Sequence, residues 1–168
     1  MNNEIKVIFG NNQIPLLGNQ VKTGDKAPEF VTIGNDLKPV KLSQFDGKIK
    51  IISVFPSIDT PVCAVQNRVF NKRISEVENT VILSISVDLP FAQKRFCGAE
   101  GIDKVITLSD HRDLDFGLKY GFVLKDLRLL ARGVIVIDKN NIVKHVEYVP
   151  NVGQEPNYDK AFNIIKHL

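Results

Sequence analysis

The feature that most constrains the fold is an alternation of element types that begins at residue 49. Residues 49–55, IKIISVF, form an apolar run of strand length, and residues 80–87, TVILSISV, form a second one. Between the two runs, apolar side chains recur at helical spacing at Val65, Val69, Phe70, Ile74 and Val77. A strand, a helix and a strand of these lengths predict a right-handed βαβ unit over residues 49–87, with parallel strands.

Further elements follow this unit. Residues 88–98, DLPFAQKRFCG, predict a second helix with Asp88 near its N-cap and Gly98 as its C-terminal stop. Residues 105–110 predict another strand, and the stretch around residues 114–121 predicts a short helical piece. An extra helix and an extra strand therefore separate the βαβ unit from the elements at the end of the chain.

The end of the chain predicts a ββα unit over residues 132–168. The runs at 133–138 and 142–149 are joined by a short turn and predict an antiparallel hairpin, and residues 157–168 predict an amphipathic helix. A βαβ unit followed by a ββα unit is the connectivity of the thioredoxin fold. We therefore predict an α/β protein with a thioredoxin-like fold, in which helices flank a central mixed β-sheet.

The start of the chain predicts a β-rich extension of that fold. The runs at residues 5–9 and 14–18 flank a Gly-Asn-Asn turn at 10–12, which predicts an N-terminal β-hairpin within residues 1–20. Residues 29–45 contain a second possible hairpin. The predicted extension therefore precedes the βαβ unit.

Bulk properties restrict the class of protein. A chain of 168 residues predicts a single domain spanning residues 1–168. The net charge of +3, with dispersed lysines and arginines, argues against a nucleic-acid partner. No apolar run fits a membrane span, and the N-terminus lacks the pattern of a secretory signal, so we expect a cytoplasmic protein with no membrane partner. In that compartment a disulfide between the two cysteines would be transient and catalytic rather than structural.

The stretch PSIDTPVC, residues 56–63, carries the first candidate for chemistry. Proline is favoured at the first helical position, which makes Thr60 the predicted N-cap and Cys63 the third helical residue. Unpaired N–H groups and the helix dipole there favour a thiolate, so Cys63 is a candidate nucleophile. A carboxylate beside the sulfur would oppose the thiolate, so we expect the Asp59 side chain to point away. The alternative is that Cys63 fills the core as a small apolar side chain.

Two further residues are candidates for the same site. Arg132 stands at the start of an apolar strand, from which its side chain can reach the N-terminus of the Cys63 helix if the strand is central. Cys97 lies near the C-terminus of its predicted helix, where the dipole disfavours a thiolate, which suits a second-step partner better than a first attacker. Two sulfurs bond only when their Cα atoms come within about 7 Å, which two helices seldom allow unless one unwinds. The alternative of an unpaired Cys97 stays open.

The order Pro56-x-x-x-Thr60-x-x-Cys63 on a thioredoxin-like βαβ unit resembles the peroxiredoxins. The chain is similar in particular to the bacterial thiol peroxidase subfamily, the atypical two-cysteine peroxiredoxins. The match covers nearly the whole chain and includes the stretches VKTGDKAPEF, SVFPSIDTPVC, DLPFAQKRFC, LLARGVIVID and VPNVGQEPNYDKAF. One departure is Gly133, at a position where the family more often has alanine after the arginine.

The resemblance implies a role for each candidate residue. Cys63 would attack the peroxide and become a sulfenic acid, while Thr60 and Arg132 would bond the sulfur and the peroxide oxygens. Pro56 would shield the pocket from water. Cys97 would resolve the sulfenic acid as an intramolecular disulfide with Cys63, which thioredoxin would reduce. The resemblance also implies hydrogen peroxide and organic hydroperoxides as substrates, a homodimer, and no metal or bound redox cofactor.

Other functions of a reactive cysteine make different demands on the sequence. A thiol–disulfide oxidoreductase normally uses Cys-x-x-Cys, and here Thr60 occupies the first of those positions. A cysteine hydrolase needs a histidine base, and none of the three histidines has a predicted place beside Cys63 or a zinc-ligand spacing. A peroxide-sensing thiol–disulfide relay protein would use the same two cysteines, so the sequence leaves this alternative to the peroxidase open.

Overall fold

The computed structural model describes residues 4–168 and contains two sheets. A seven-stranded sheet has the strand order β11-β10-β5-β6-β7-β3-β4, and a four-stranded sheet has the order β1-β2-β8-β9. The strands are β1 Lys6–Phe9, β2 Asn12–Leu17, β3 Val31–Ile33, β4 Pro39–Lys41, β5 Ile49–Val54, β6 Thr80–Ser86, β7 Ile106–Ser109, β8 Val123–Leu124, β9 Leu129–Leu130, β10 Gly133–Ile137 and β11 Val143–Tyr148. The α-helices are α1 Pro61–Arg73, α2 Pro90–Glu100, α3 Asp115–Tyr120 and α4 Tyr158–Ile165, and 3₁₀ turns span Leu42–Phe45 and Ile74–Glu76.

The centre of the larger sheet is the predicted strand–helix–strand unit. Strands β5 and β6 pair in parallel from Ile49 opposite Thr80 to Val54 opposite Ile85, and β7 extends the parallel part. Strand β10 pairs antiparallel with β5 on one edge and with β11 on the other. The sheet is therefore mixed, with helices flanking it, and the predicted thioredoxin-like fold class is confirmed.

The N-terminal strands form a hairpin that belongs to the second sheet. Strands β1 and β2 pair antiparallel with Phe9 opposite Asn12, so the turn has two residues and Asn12 is already part of a strand. Gly10 adopts a φ of +62° in this turn, which a glycine tolerates without strain. Residues 1–3 of the predicted extension lie outside the described residues. Strands β3 and β4 form the second hairpin, at the edge of the larger sheet.

The two ends of α2 differ from the sequence-based prediction. Gly98 lies inside the helix, and Gly101, with a φ of +65°, is the C-cap whose N–H donates to the carbonyl of Cys97. The predicted stop at Gly98 is therefore wrong, because the left-handed turn that ends the helix falls three residues later. Leu89 is the N-cap, and the Asp88 carboxylate, although adjacent, caps no N–H of α2.

The face that α1 buries also differs from the predicted one. Its buried side chains are Cys63, Gln66, Asn67 and Phe70, whereas the predicted Val65 and Val69 are only half-buried. Phe70 of the predicted set is buried, and Ile74 and Val77 pack against the same core cluster, so the prediction failed only in the first part of the helix, where Gln66 and Asn67 are buried instead. None of the helices described over residues 4–168 is both long and apolar enough to cross a membrane.

Asp110 is a buried carboxyl that supports the short helix α3. Its two oxygens accept the N–H groups of Phe116 and Gly117, at 3.0 and 2.8 Å, in the first turn of the helix. Burial raises the pKa of Asp110 to about 6, and the two N–H bonds offset only part of that effect. At a pH between the pKa of Asp110 in the unfolded chain and its pKa in the folded protein, the folded protein therefore binds a proton that the unfolded chain has lost.

We expect Asp110 to make stability fall as the pH rises. Folding raises the pKa of this carboxyl, so its protonated form stabilises the folded protein. This stabilisation is fully present below the pKa of the unfolded chain and is lost as the pH rises through the pKa of the folded protein, here about 6. From about pH 4 to 7 the difference in unfolding free energy between the native chain and Asp110→Asn should shrink by about 2 kcal/mol. Urea unfolding across this range measures it. Asp36→Asn, at an exposed carboxyl, is the control, and a constant difference would contradict the prediction.

Candidate active site

Cys63 lies in the first turn of α1, where the sequence places it. Thr60 is the N-cap, and its hydroxyl oxygen accepts the N–H of Cys63 at 3.3 Å. Pro61 occupies the first helical position and fixes the start of the helix. The Cys63 side chain is fully buried, and its sulfur lies 2.6 Å from Thr60 Oγ1. The predicted helix start is confirmed and holds the sulfur against a hydroxyl group.

Arg132 supplies a fixed cation to the same sulfur. Its Nη2 donates to Cys63 Sγ at 3.3 Å, its Nη1 donates to Gln66 Oε1 at 2.7 Å, and its Nε donates to the carbonyl of Val152 at 2.7 Å. The side chain is 1% exposed, so little water screens its charge. A guanidinium in this position can donate hydrogen bonds to the sulfur and stabilise negative charge that develops next to it.

Gln66 holds Arg132 in place, and this role was not predicted from the sequence. Gln66 Nε2 donates to Ser53 Oγ at 2.7 Å, while its oxygen accepts Arg132, so the amide links the arginine to strand β5. Asn67 Nδ2 donates to the carbonyl of Cys63 at 2.9 Å. Gln66 and Asn67 follow Cys63 by three and four positions, the spacing of one helix face. That spacing was a signal available in the sequence.

Gly133, the position at which the chain departs from the peroxiredoxin pattern, has a packing reason. A Cβ atom there would lie 2.2 Å from the carbonyl oxygen of Glu147 and 2.5 Å from the Phe122 ring. Glycine therefore allows the start of β10 to approach both neighbours closely, directly after Arg132. The departure leaves the contacts of the arginine with the sulfur intact.

The loop before Cys63 contains the other two residues considered from the sequence. Pro56 is buried, next to a small apolar cluster that contains Phe55, Ile58 and Cys63. Asp59 is exposed and makes no hydrogen bond to the sulfur, in line with the expected orientation of its side chain. The sulfur therefore has a cation and a hydroxyl as bonding partners and belongs to a cluster of apolar side chains.

Cys97 is a second free thiol with its own surroundings. It is half-buried on α2, and its sulfur donates to Thr107 Oγ1 at 3.9 Å. Burial raises the pKa of the Cys97 thiol, and the Thr107 bond offsets part of the rise. Phe96 packs against both the Cys63 cluster and the larger cluster that includes Cys97. The structure thus places the two cysteines on adjacent helices with different bonding partners and leaves them unbonded to each other.

A row of buried hydroxyl groups crosses the sheet beneath these helices. Ser53, Ser84 and Thr107 are paired across β5, β6 and β7, whose strands lie about 4.8 Å apart. Ser53 bonds Gln66 of α1, and Thr107 bonds Cys97 of α2. The hydroxyl of Ser84 has no side-chain or backbone partner among residues 4–168. This hydroxyl row, Ser53, Ser84 and Thr107, adds polar groups to a sheet face that also carries the apolar side chains of Ile51 and Ile82.

We expect Arg132→Lys to slow the oxidation of Cys63 by hydrogen peroxide by about 10²-fold, because a lysine cannot bond Gln66, Val152 and the sulfur at once. Stopped-flow measurement of the rate constant, with reduced protein and excess peroxide, checks this. Arg68→Lys, at an exposed arginine on α1, the helix that carries Cys63, is the control. An unchanged rate constant in Arg132→Lys would contradict the role of the guanidinium.

The fold and the site together define a thioredoxin-like protein with one buried cysteine at a helix N-terminus, next to an arginine. The Redoxin family model matches residues 22–162. A thiol peroxidase of Listeria innocua is 51% identical over 96% of this chain and 98% of its own length. A thiol peroxidase of Staphylococcus saprophyticus is 52% identical over 97% and 99%. A peroxiredoxin-like protein from Aquifex aeolicus, 38% identical, superimposes with a TM-score of 0.90 over 96% of each chain.

The thiol peroxidases match nearly the whole chain, and the Redoxin match spans every residue of the site described above. The chain therefore belongs to the Redoxin family and, within it, to the thiol peroxidase subfamily of the peroxiredoxins.

Proposed function

We propose that the chain is a thiol-specific peroxidase that reduces hydrogen peroxide and organic hydroperoxides to water and alcohols, with Cys63 as the nucleophile. The observation that carries this proposal is the buried Cys63 sulfur, held between Thr60 Oγ1 at 2.6 Å and Arg132 Nη2 at 3.3 Å. Relatives about half identical over nearly the whole chain carry the name thiol peroxidase, which supports the same activity.

In the first step the Cys63 thiolate attacks the terminal oxygen of the hydroperoxide. An S–O bond forms as the O–O bond breaks, and the electron pair passes to the leaving oxygen, which takes a proton and departs as water or an alcohol. Cys63 becomes a sulfenic acid. The guanidinium of Arg132 and the hydroxyl of Thr60 stabilise the negative charge that develops on the oxygens, and Pro56 shields the pocket from water.

In the second step the Cys97 thiol attacks the sulfenic acid, so that an S–S bond forms and water leaves. The two sulfurs lie on separate helices and have different partners, so we expect part of α1 or α2 to unwind in this step. Burial raises the pKa of the Cys97 thiol, which keeps it protonated until its segment opens. Cys97 therefore acts after Cys63 rather than in competition with it.

In the third step a dithiol reductant of the thioredoxin type attacks the disulfide, returns both cysteines to thiols and becomes a disulfide itself. The proposal places the protein in the cytoplasm, where two free thiols persist at rest, and assigns it a homodimeric state. The relatives named thiol peroxidase, about half identical to this chain, support hydroperoxides as the substrate class.

The decisive experiment couples peroxide reduction to NADPH oxidation through thioredoxin and thioredoxin reductase, with hydrogen peroxide or cumene hydroperoxide as oxidant. We expect many turnovers per chain. Thiol counts before and after peroxide should fall by two per chain, with no covalent dimer on a non-reducing gel. A covalent dimer would contradict the intramolecular disulfide. Oxidation that stops after a single event, with an intact reductant system, would contradict the peroxidase and favour a peroxide-sensing relay.

A further inference from the structure

The loop that precedes Cys63 is tied to another part of the chain through one carboxylate. Asp88 Oδ2 accepts the backbone N–H of Ile58 at 2.9 Å and the hydroxyl of Ser86 at 2.6 Å. Asp88 Oδ1 accepts the hydroxyl of Ser57 at 3.0 Å. Two of these three donors belong to the Cys63 loop, so one side chain fixes both a backbone group and a side chain of that loop.

From these donors the bonding continues to the sulfur. The carbonyl of Ser57 accepts the N–H of Thr60 at 3.3 Å and lies 3.3 Å from Thr60 Oγ1. The Thr60 hydroxyl has one proton, which it can give either to that carbonyl or to Cys63 Sγ, 2.6 Å away. The position of Ser57 therefore sets where Thr60 stands and which acceptors compete for its proton.

Asp88 belongs to the segment that leads into the Cys97 helix. It lies between the end of β6 and the N-cap of α2, Leu89, and its backbone carbonyl accepts the hydroxyl of Ser109 on β7. Its carboxylate caps no helix and forms no ion pair among residues 4–168. The Asp88 carboxylate therefore serves as a hydrogen-bond acceptor for the Cys63 loop and for Ser86.

We propose that Asp88 is a positioning residue for peroxide reduction: its carboxylate holds Ser57 and Ile58 so that Thr60 faces the Cys63 sulfur. The inference rests on the proposed function. It also links the two cysteine segments, because the residue that fixes the Cys63 loop stands at the start of the helix that carries Cys97. An asparagine keeps one carbonyl oxygen for the Ile58 N–H and the Ser86 hydroxyl, and its amide N–H can donate to Ser57 Oγ.

The test measures the rate constant of Cys63 sulfenic acid formation with hydrogen peroxide in a Cys97→Ser background, by rapid quench, dimedone labelling and mass spectrometry. Asp88→Ala should lower this rate constant by about 10-fold or more, since a misplaced reacting group costs on that order. Asp88→Asn should restore it to within about threefold, since it keeps the acceptor. Ser109→Ala, which removes the bond to the Asp88 backbone and spares the carboxylate, is the matched control and should stay near the parent rate.

A parent-like rate in Asp88→Ala would overturn the proposal, as would an Asp88→Asn rate as low as that of Asp88→Ala or an equal loss in Ser109→Ala. If circular dichroism shows that Asp88→Ala does not fold, Ser57→Ala is measured in its place. An unchanged rate constant of sulfenic acid formation in Ser57→Ala would also overturn the proposal. Cys97→Ser, the parent of these variants, separates this proposal from the proposed peroxidase function. If Cys97→Ser forms no sulfenic acid, the peroxidase proposal fails. The rate of Cys63 alkylation by iodoacetamide then tests the role of Asp88: Asp88→Ala should again be slowest, and Asp88→Asn and Ser109→Ala should stay near the rate of Cys97→Ser.

Discussion

Replacing Cys63 by serine is expected to lower thioredoxin-dependent peroxide consumption by about 10³-fold or more. The serine hydroxyl is hardly ionised near neutral pH and is a far weaker nucleophile than a thiolate, even beside Arg132. The substitution keeps an atom that can bond Thr60, so the fold should persist. NADPH oxidation in the coupled assay, with circular dichroism to confirm folding, measures the effect.

Cys97→Ser is the matched control for the first oxidation, because it removes the other thiol of the chain and leaves Cys63 with its partners. The two variants should differ in a single burst of peroxide consumption, which Cys97→Ser shows and Cys63→Ser lacks. Sustained thioredoxin-dependent peroxidase activity in Cys63→Ser would refute the assignment of the nucleophile.

Cys97→Ser itself is expected to consume about one peroxide per chain and then stall under thioredoxin recycling. Without a second thiol the sulfenic acid at Cys63 has no intramolecular partner, so the disulfide that the reductant recognises does not form. Peroxide consumed per chain, measured before and after thioredoxin is added, checks this. Mass spectrometry should find the added oxygen on the peptide that contains Cys63.

A Cys97→Ser variant that turns over at the native rate with thioredoxin would show that the reductant attacks the sulfenic acid directly. In that case Cys97 would be a structural thiol that bonds Thr107, as the alternative from the sequence allows. Phe96→Leu, next to Cys97 and retaining the thiol, is a control for damage to the packing of α2.

The order of elements was predictable because hydrophobic periodicity reports burial directly. The apolar runs at β5 and β6 predicted buried parallel strands, and the runs at β10 and β11 predicted a hairpin. The same reasoning misplaced the buried face of α1. It assumes that buried helix positions are apolar, whereas Gln66 is buried because it bonds Ser53 and Arg132, and Asn67 is buried because it bonds the carbonyl of Cys63. Pairing between elements decides this, and periodicity along one element cannot show it.

The local part of the site was also within reach of the sequence. Thr60 and Pro61 fix a helix start through contacts within one turn, which placed Cys63 correctly. Arg132 was identified from its position at a strand end. The bond between Arg132 and Gln66 and the tie from Asp88 to the Cys63 loop join elements far apart in sequence, so neither was predicted. The end of α2 was misplaced because Gly98 and Gly101 carry the same signal, and only the backbone shows which one is left-handed.

The hydroxyl row of Ser53, Ser84 and Thr107 has a consequence for how the enzyme responds to temperature. The heat capacity change of an opening reaction rises with the apolar surface it exposes and falls with the polar surface. Lifting the middle of α1 from Ser53, or α2 from Thr107, exposes amides and hydroxyls that exchange their bonds for bonds to water, together with apolar side chains such as Phe70. The polar part of this interface lowers the heat capacity change of the opening, so the enthalpy of opening should vary less with temperature than it would for helices that pack on an entirely apolar sheet face.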